Sequence, residues 1–270
     1  MTARDQMINL IGVFDETVKI YGSLFESKLQ NSDISIDDQA LKPYLMTTEV
    51  QWALASCIDH LETVRNLVVS NCIPNVAAFT LIRSAIEQGT LAIWCLDPDD
   101  PQERRRRVLL QAARSAKLGD DALADIPTTS GAAFESKLKK INTLASKLKV
   151  APIEKSEYSM AKIKNRVAEI GELIQSLGLG SKDVNLISTA WRVTSGIAHA
   201  NTFAGLMLLN RSAVVTYPET DSVGVRMFTS EVEIARLFQL SSWVLQIALD
   251  VTRFRLGLSD KKYSKIQELP

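Results

Sequence analysis

Pro74-Asn-Val-Ala-Ala-Phe-Thr-Leu-Ile-Arg-Ser-Ala-Ile-Glu-Gln-Gly-Thr-Leu-Ala-Ile-Trp-Cys-Leu96 decides the fold. Proline suits a first helical turn, where its missing N–H would have no partner anyway. From there to Leu96 the side chains are apolar nearly all round, the pattern of a helix enclosed by other helices. The only charged residues, Arg83 and Glu87, are spaced i, i+4, and Thr90 and Trp94 continue their stripe. Charges inside such a helix are costly unless paired. Two readings are open: a buried ion pair that fixes helix register, or a pair that lines a groove and orients a functional group there.

The flanking sequence supplies the enclosing helices. Gln6 to Leu29 has apolar residues at Ile8, Ile11, Phe14, Val18, Tyr21 and Phe25, an amphipathic helix, whereas residues 30–43 read as a polar connection. Thr47 or Thr48 caps a helix running to about Asn71. Asp97-Pro-Asp-Asp-Pro101 ends the central helix and starts the next, and Gly119 to Gly131 is a turn-rich connection. Two further helices are expected over Ala132 to Lys149 and Ser159 to Leu177, the second stopped by Gly178-Leu-Gly180. Ser181 then caps a helix opened by Asp183 and Val184.

After an apolar continuation (Phe203 to Leu209) the period changes to two. Ala213 to Tyr217 and Val223 to Phe228 flank Pro218-Glu-Thr-Asp221, a hairpin pattern. Ser230 starts a last helix to about Leu256, and the tail from Gly257 looks loosely held. The expected fold is all-α: a single-domain helical bundle over residues 1–257, with one small β-hairpin near 213–228 and a loosely ordered tail over 258–270.

The 270 residues are 46% hydrophobic and 23% charged, with zero formal net charge. That composition supports a real core and provides no overall field toward nucleic acid or anionic lipid. No apolar run approaches the roughly 18–20 residues that span a bilayer, so no membrane partner is expected. The N-terminal Met-Thr-Ala-Arg-Asp-Gln lacks the pattern of a signal peptide. Cys57, Cys72 and Cys95 are odd in number, without metal-ligand spacing, and read as buried thiols of a cytoplasmic protein.

The sharpest functional signal is Asn185-Leu-Ile-Ser-Thr-Ala-Trp-Arg-Val-Thr-Ser-Gly-Ile-Ala-His-Ala-Asn201, which holds one of two histidines. As a helix it places Val184, Ile187, Trp191, Thr194 and Ala198 on one largely apolar face. Beside it runs a second stripe of Asn185, Ser188, Arg192, Ser195 and His199. Arg192 and His199 differ by about 20° around the axis and about 10 Å along it. Imidazole titrates near neutrality and guanidinium presents a fixed fork to phosphate oxygens, so the pair suits acid/base work on a phosphodiester. Gly196 and Ala198 imply that another element packs closely on this helix.

Here the sequence resembles the HEPN superfamily, all-helical proteins whose catalytic members carry Arg-x(4–6)-His near the start of a late helix. Arg192 to His199, with six residues between, fits the upper end of that spacing. The chain is also similar to a group of uncharacterised bacterial HEPN-like proteins that combine Arg-x-x-x-Glu with a later Ser-x-x-x-His. Arg83-Ser-Ala-Ile-Glu87 and Ser195-Gly-Ile-Ala-His199 match both patterns. The resemblance covers residues 45–255 in outline.

It implies a metal-independent endoribonuclease, toxin-like or defence-associated, that cleaves RNA at a homodimer interface without a cofactor. His199 would transfer the proton and Arg192 would steady the phosphate, with Ser195 and Glu87 as catalytic support. Arg83, Arg106, Arg107 and Asn185 would contact the substrate, and an antitoxin or other protein would regulate the site. Val193 departs from the family, which favours a polar residue after the arginine. The alternative is a non-catalytic HEPN-like helical module that binds a protein partner or nucleotide.

Arg104 to Arg107, with Arg114 and Lys117, is the densest basic segment. Four consecutive residues point around a helix, and no aromatic residues interleave as a stacking platform needs. Two uses remain, a solvated face balanced by Asp97 to Glu103 or contact with RNA phosphates. No phosphate-binding glycine loop, nucleophile elbow or dinucleotide fingerprint is present.

Overall fold

A computed structural model describes residues 3–27, 29–123, 132–158, 161–217 and 222–264. These are all-α in class. The helices are α1 (Ala3–Tyr21), α2 (Asp33–Leu41), α3 (Met46–Val69), α4 (Ala77–Leu96), α5 (Pro101–Leu123), α6 (Ala132–Lys147), α7 (Ala161–Ser176), α8 (Leu186–Ala198), α9 (Thr202–Leu208) and α10 (Glu231–Arg255). Between α9 and α10, β1 (Asn210–Tyr217) pairs antiparallel with β2 (Ser222–Phe228), with an irregularity between Ser212 and Val214. The turn expected at residues 218–221 lies outside the described residues, as does 124–131 of the expected turn-rich connection.

The stretch from Ala77 to Leu96 is the central helix. α4 packs against α3, α5, α7, α8 and α10, and Phe79, Ile82, Ile86, Ile93 and Leu96 are wholly buried. Gly89 marks a close crossing: a β-carbon there would lie 2.6 Å from Val244 of α10 and 3.4 Å from Cys57 of α3. The tight approach lets three helices share one seam. On α10 the buried hydroxyls of Ser241 and Thr252 return hydrogen bonds to Leu237 O (2.8 Å) and Ala248 O (2.6 Å), so neither polar group is stranded in the core.

Residues 30–43 are not merely a connection, because most of them form α2. Its buried face is largely polar, with Ser35, Asp37 and Asp38 beside Ile34 and Leu41. That is why hydrophobic periodicity misses it. Asp37, fully buried, accepts from Arg104 Nε at 2.9 Å and Arg105 Nε at 2.7 Å. Asp38 accepts from the Thr47 backbone N–H at 2.9 Å. The first turn of α3 is therefore held by a carboxylate from α2, not by a threonine cap.

The C-terminal end of α4 is tied down by arginines from elsewhere. Arg107 donates to Trp94 O at 2.9 Å, and Arg255 of α10 donates to Leu96 O, Asp97 O and Pro98 O at 2.9, 3.1 and 2.9 Å. Arg104 donates to Pro98 O and Asp99 O, both at 3.0 Å. Cations at this end satisfy the last carbonyls and oppose the negative pole of the helix.

The tail from residue 258 is not loosely held as far as residue 264. Lys262 donates to Asp97 O at 2.6 Å, Tyr263 Oη donates to the Asp97 carboxylate, and the Ser264 N–H reaches Asp250 Oδ2 at 2.9 Å. Residues 265–270 lie outside the described residues.

Cys57 and Cys95 are buried, and burial pushes both thiols up to about 12, whereas Cys72 is exposed rather than buried. No described helix is long and apolar enough to cross a membrane.

Candidate functional site

α8 begins one residue after Asn185, later than the expected opening at Asp183. The Asn185 side chain accepts from Ser188 N at 2.9 Å, and its amide donates to Ala168 O of α7 at 2.9 Å. Asn185 thus caps α8 and ties it to α7, so both ends of its amide are engaged in structure rather than offered to substrate. Gly171 of α7 makes room for it, since a β-carbon there would collide with Asn185 Oδ1.

The buried face of α8 is rotated slightly from the expected one. Ile187, Ala190, Thr194 and Ile197 are buried, whereas Val184 is 46% exposed and Trp191 is half-buried. Thr194 Oγ1 donates to Ala190 O at 2.7 Å, which satisfies the hydroxyl inside the seam. Arg192 and His199 are exposed, and Ser195 is half-buried between them. Among the described residues neither the Arg192 nor the His199 side chain has a hydrogen bond or ion pair.

His199 is the last residue on the helical path rather than a residue within it. The Ala200 N–H reaches Ile197 O at 2.9 Å and the Asn201 N–H reaches Gly196 O at 2.8 Å, with Ala200 left-handed at φ 55°. These two reversed bonds are the Schellman termination, in which the left-handed position normally falls to glycine. Asn201 at once caps α9, accepting from Ala204 N at 3.1 Å. The expected close neighbour of this helix is α9: a β-carbon on Gly196 would sit 2.7 Å from Ala204 Cβ.

Arg83 and Glu87 are paired, at 3.0 Å, with side chains 17% and 16% exposed. Glu87 Oε1 also accepts from the Trp191 indole N–H at 2.7 Å. The two stripes singled out in the sequence therefore meet, through Trp191 rather than through His199. Arg166 of α7 adds a third strand to this junction, donating to the Glu87 backbone oxygen at 3.1 Å. No motif pointed to Arg166. It stands in an amphipathic helix as one more basic residue, and only its depth sets it apart.

The basic run of α5 is neither a solvated face nor an open phosphate track. Arg104 is 3% exposed and bound to Asp37. Arg106 pairs with Glu157 at 2.6 Å, while Arg107 pairs with Glu103 at 2.8 Å and Glu169 at 3.0 Å and stacks 4.7 Å over Trp94. The counter-charges come from α2, α7 and the 3-10 turn Lys155–Tyr158, as well as from Glu103. Arg106 and Arg107, expected to contact substrate, have their guanidiniums held by these carboxylates.

Among the described residues no group of three His, Cys, Asp or Glu side chains is placed to hold a metal ion. The chain matches no protein-family model, no curated protein and no solved structure.

Proposed function

We propose that this protein is a HEPN-like, metal-independent endoribonuclease that works as a homodimer through the exposed edge of α8. The observation that carries the reading is the pair Arg192 and His199. Both are exposed and without a side-chain partner among the described residues, while Arg83, Glu87, Asn185, Arg106 and Arg107 are all engaged in structural contacts. The left-handed Ala200 directly behind His199 adds support, since a strained backbone beside an exposed titratable group is a common mark of a functional position. Phe203, 72% exposed one turn further on, provides an apolar anchor for a second copy.

In this reading an RNA 2′-oxygen attacks the adjacent phosphorus as the bond to the 5′-oxygen breaks. His199 takes the 2′-hydroxyl proton and the partner's His199 protonates the departing 5′-oxygen. Arg192 neutralises the phosphorane oxygens. The products are a 2′,3′-cyclic phosphate and a free 5′-hydroxyl. An antitoxin or other protein would act by covering the α8 edge.

The test uses purified protein, mixed cellular RNA and excess EDTA, with His199→Ala and Arg192→Ala alongside. Fragments ending in 2′,3′-cyclic phosphate, absent for both variants, are expected. Intact RNA, or equal cutting by all three proteins, overturns the reading and leaves α8 as a non-catalytic surface for a protein partner.

A further inference from the structure

A second site lies away from α8. A cleft of about 240 Å³ opens between α4, α5, the Lys155–Tyr158 turn and α7, with Trp94, Leu110, Gln111, Arg114, Asn165 and Arg166 among its walls. Pockets for drug-sized ligands run to roughly 300–1,000 Å³, so this one suits a small molecule.

Its chemistry is set by Arg166. That residue is only 8% exposed, and among the described residues no carboxylate is paired with it. One terminal nitrogen donates to the Glu87 backbone oxygen, and Nε has no hydrogen-bond partner. Burial first, and then the nearby Arg114, push its guanidinium down to about 10. At neutral pH it is still a cation. Arg114 is likewise held low by burial, with Glu87 as the carboxylate acting on it.

Glu87 is already paired with Arg83 and with the Trp191 N–H, so three guanidiniums share its charge. At the rim, Glu157 is paired with Arg106 and Glu169 with Arg107. A buried cation whose nearby carboxylate is shared with other guanidiniums is costly to keep in a folded protein. A bound anion would remove that cost, and arginine is the side chain best shaped to hold phosphate oxygens.

We infer that the cleft between α5 and α7 binds a small phosphate monoester, with Arg166 and Arg114 on the phosphate. Trp94 and Leu110 form its apolar wall, and the Gln111 and Asn165 amides face the remainder of the ligand. The site shares no side chain with Arg192 or His199, so it stands whether or not RNA cleavage does.

The test is thermal denaturation of the full chain in inorganic phosphate, ribose 5-phosphate or unphosphorylated ribose, at matched ionic strength, against Arg166→Met. At roughly five times Kd the two phosphate compounds should raise Tm by about 2–4 °C, and ribose should not. Arg166→Met, of similar size but uncharged, should show an unliganded Tm equal to or above that of the wild type and no phosphate response. Titration calorimetry of Arg114→Gln, with Kd expected to weaken at least tenfold, keeps the proposal testable if Arg166→Met does not fold. A wild type indifferent to both phosphates, or a shift of equal size in Arg166→Met, overturns the inference.

Discussion

Trp191 and Glu87, 104 positions apart in sequence, are joined by a 2.7 Å hydrogen bond from indole nitrogen to carboxylate oxygen, on the same oxygen that faces Arg83 Nε at 3.0 Å. The arrangement locks α8 against α4. Glu87→Ala would leave an indole N–H without its acceptor and a largely buried guanidinium without its counter-charge, at a cost of about 2–4 kcal/mol. Glu87→Gln keeps an acceptor oxygen for one of them and should cost roughly half as much. Chemical denaturation of both variants checks the order. Equal and negligible losses would mean that the junction does not hold the helices.

Gly171 and Asn185 form a second tie, between α7 and α8. Gly171→Ala should destabilise by about 1–3 kcal/mol, because its methyl displaces the side chain that caps α8. Asn185→Ala should cost about 1 kcal/mol through the lost cap. Once Asn185 is truncated the Gly171 methyl has space, so the double variant should be no worse than Gly171→Ala alone. A double-mutant cycle reads this directly, and strict additivity would sink the account.

Ala200 holds the left-handed conformation that ends α8, with φ at 55°. Glycine adopts that conformation without the steric cost of a β-carbon, so Ala200→Gly should raise stability by about 0.5–1 kcal/mol. The measurement is the midpoint of urea unfolding. The same variant loosens the residue behind His199, so any RNA cleavage should fall as stability rises.

Tyr263 provides a pH signature. Burial first, then its hydrogen bond to Asp97, raise the phenol above its ordinary 10.0. The folded state thus holds this proton more tightly than the unfolded one. The resulting stabilisation is fully present below about pH 10, where the unfolded phenol titrates, and is lost as pH rises toward the folded value. Tyr263→Phe should lower stability by about 1 kcal/mol at pH 8. The difference from wild type should narrow above about pH 10. A gap that stays constant to pH 11 would contradict the assignment.

Much of the scaffold was legible because its helices bury apolar side chains. The stretch ending at Leu96 has an apolar wheel, and the last helix starts after Ser230 as its first-turn glutamates imply. The Arg83–Glu87 pair apart, what escaped was burial through polar groups. α2 turns Asp37 and Asp38 inward to meet Arg104, Arg105 and Thr47, and those partners are remote in sequence.

The arginine run failed as a surface signal for the same reason, since each of its members finds a carboxylate on the chain. At the candidate site the spacing of Arg192 and His199 identified two exposed groups. It did not reveal that the helix stops between them and Asn201, because nothing in the sequence marks Ala200 as left-handed. Arg166 was invisible, because a lone arginine in an amphipathic helix looks like one more surface charge.

The hold that Arg255 has on Leu96 spans 159 positions. A ribosome adding about 5–20 residues per second would need roughly 8–30 s to deliver that cap after the helix itself has been made. During that interval the Leu96 carbonyl has only water, Arg107 being at hand for Trp94 alone, and the apolar faces of α4 await α7, α8 and α10. The nascent chain therefore passes through a stage in which its most hydrophobic segment is finished and its lid is not. Holding chaperones would act in that stage, and slow translation of the last third would lengthen it.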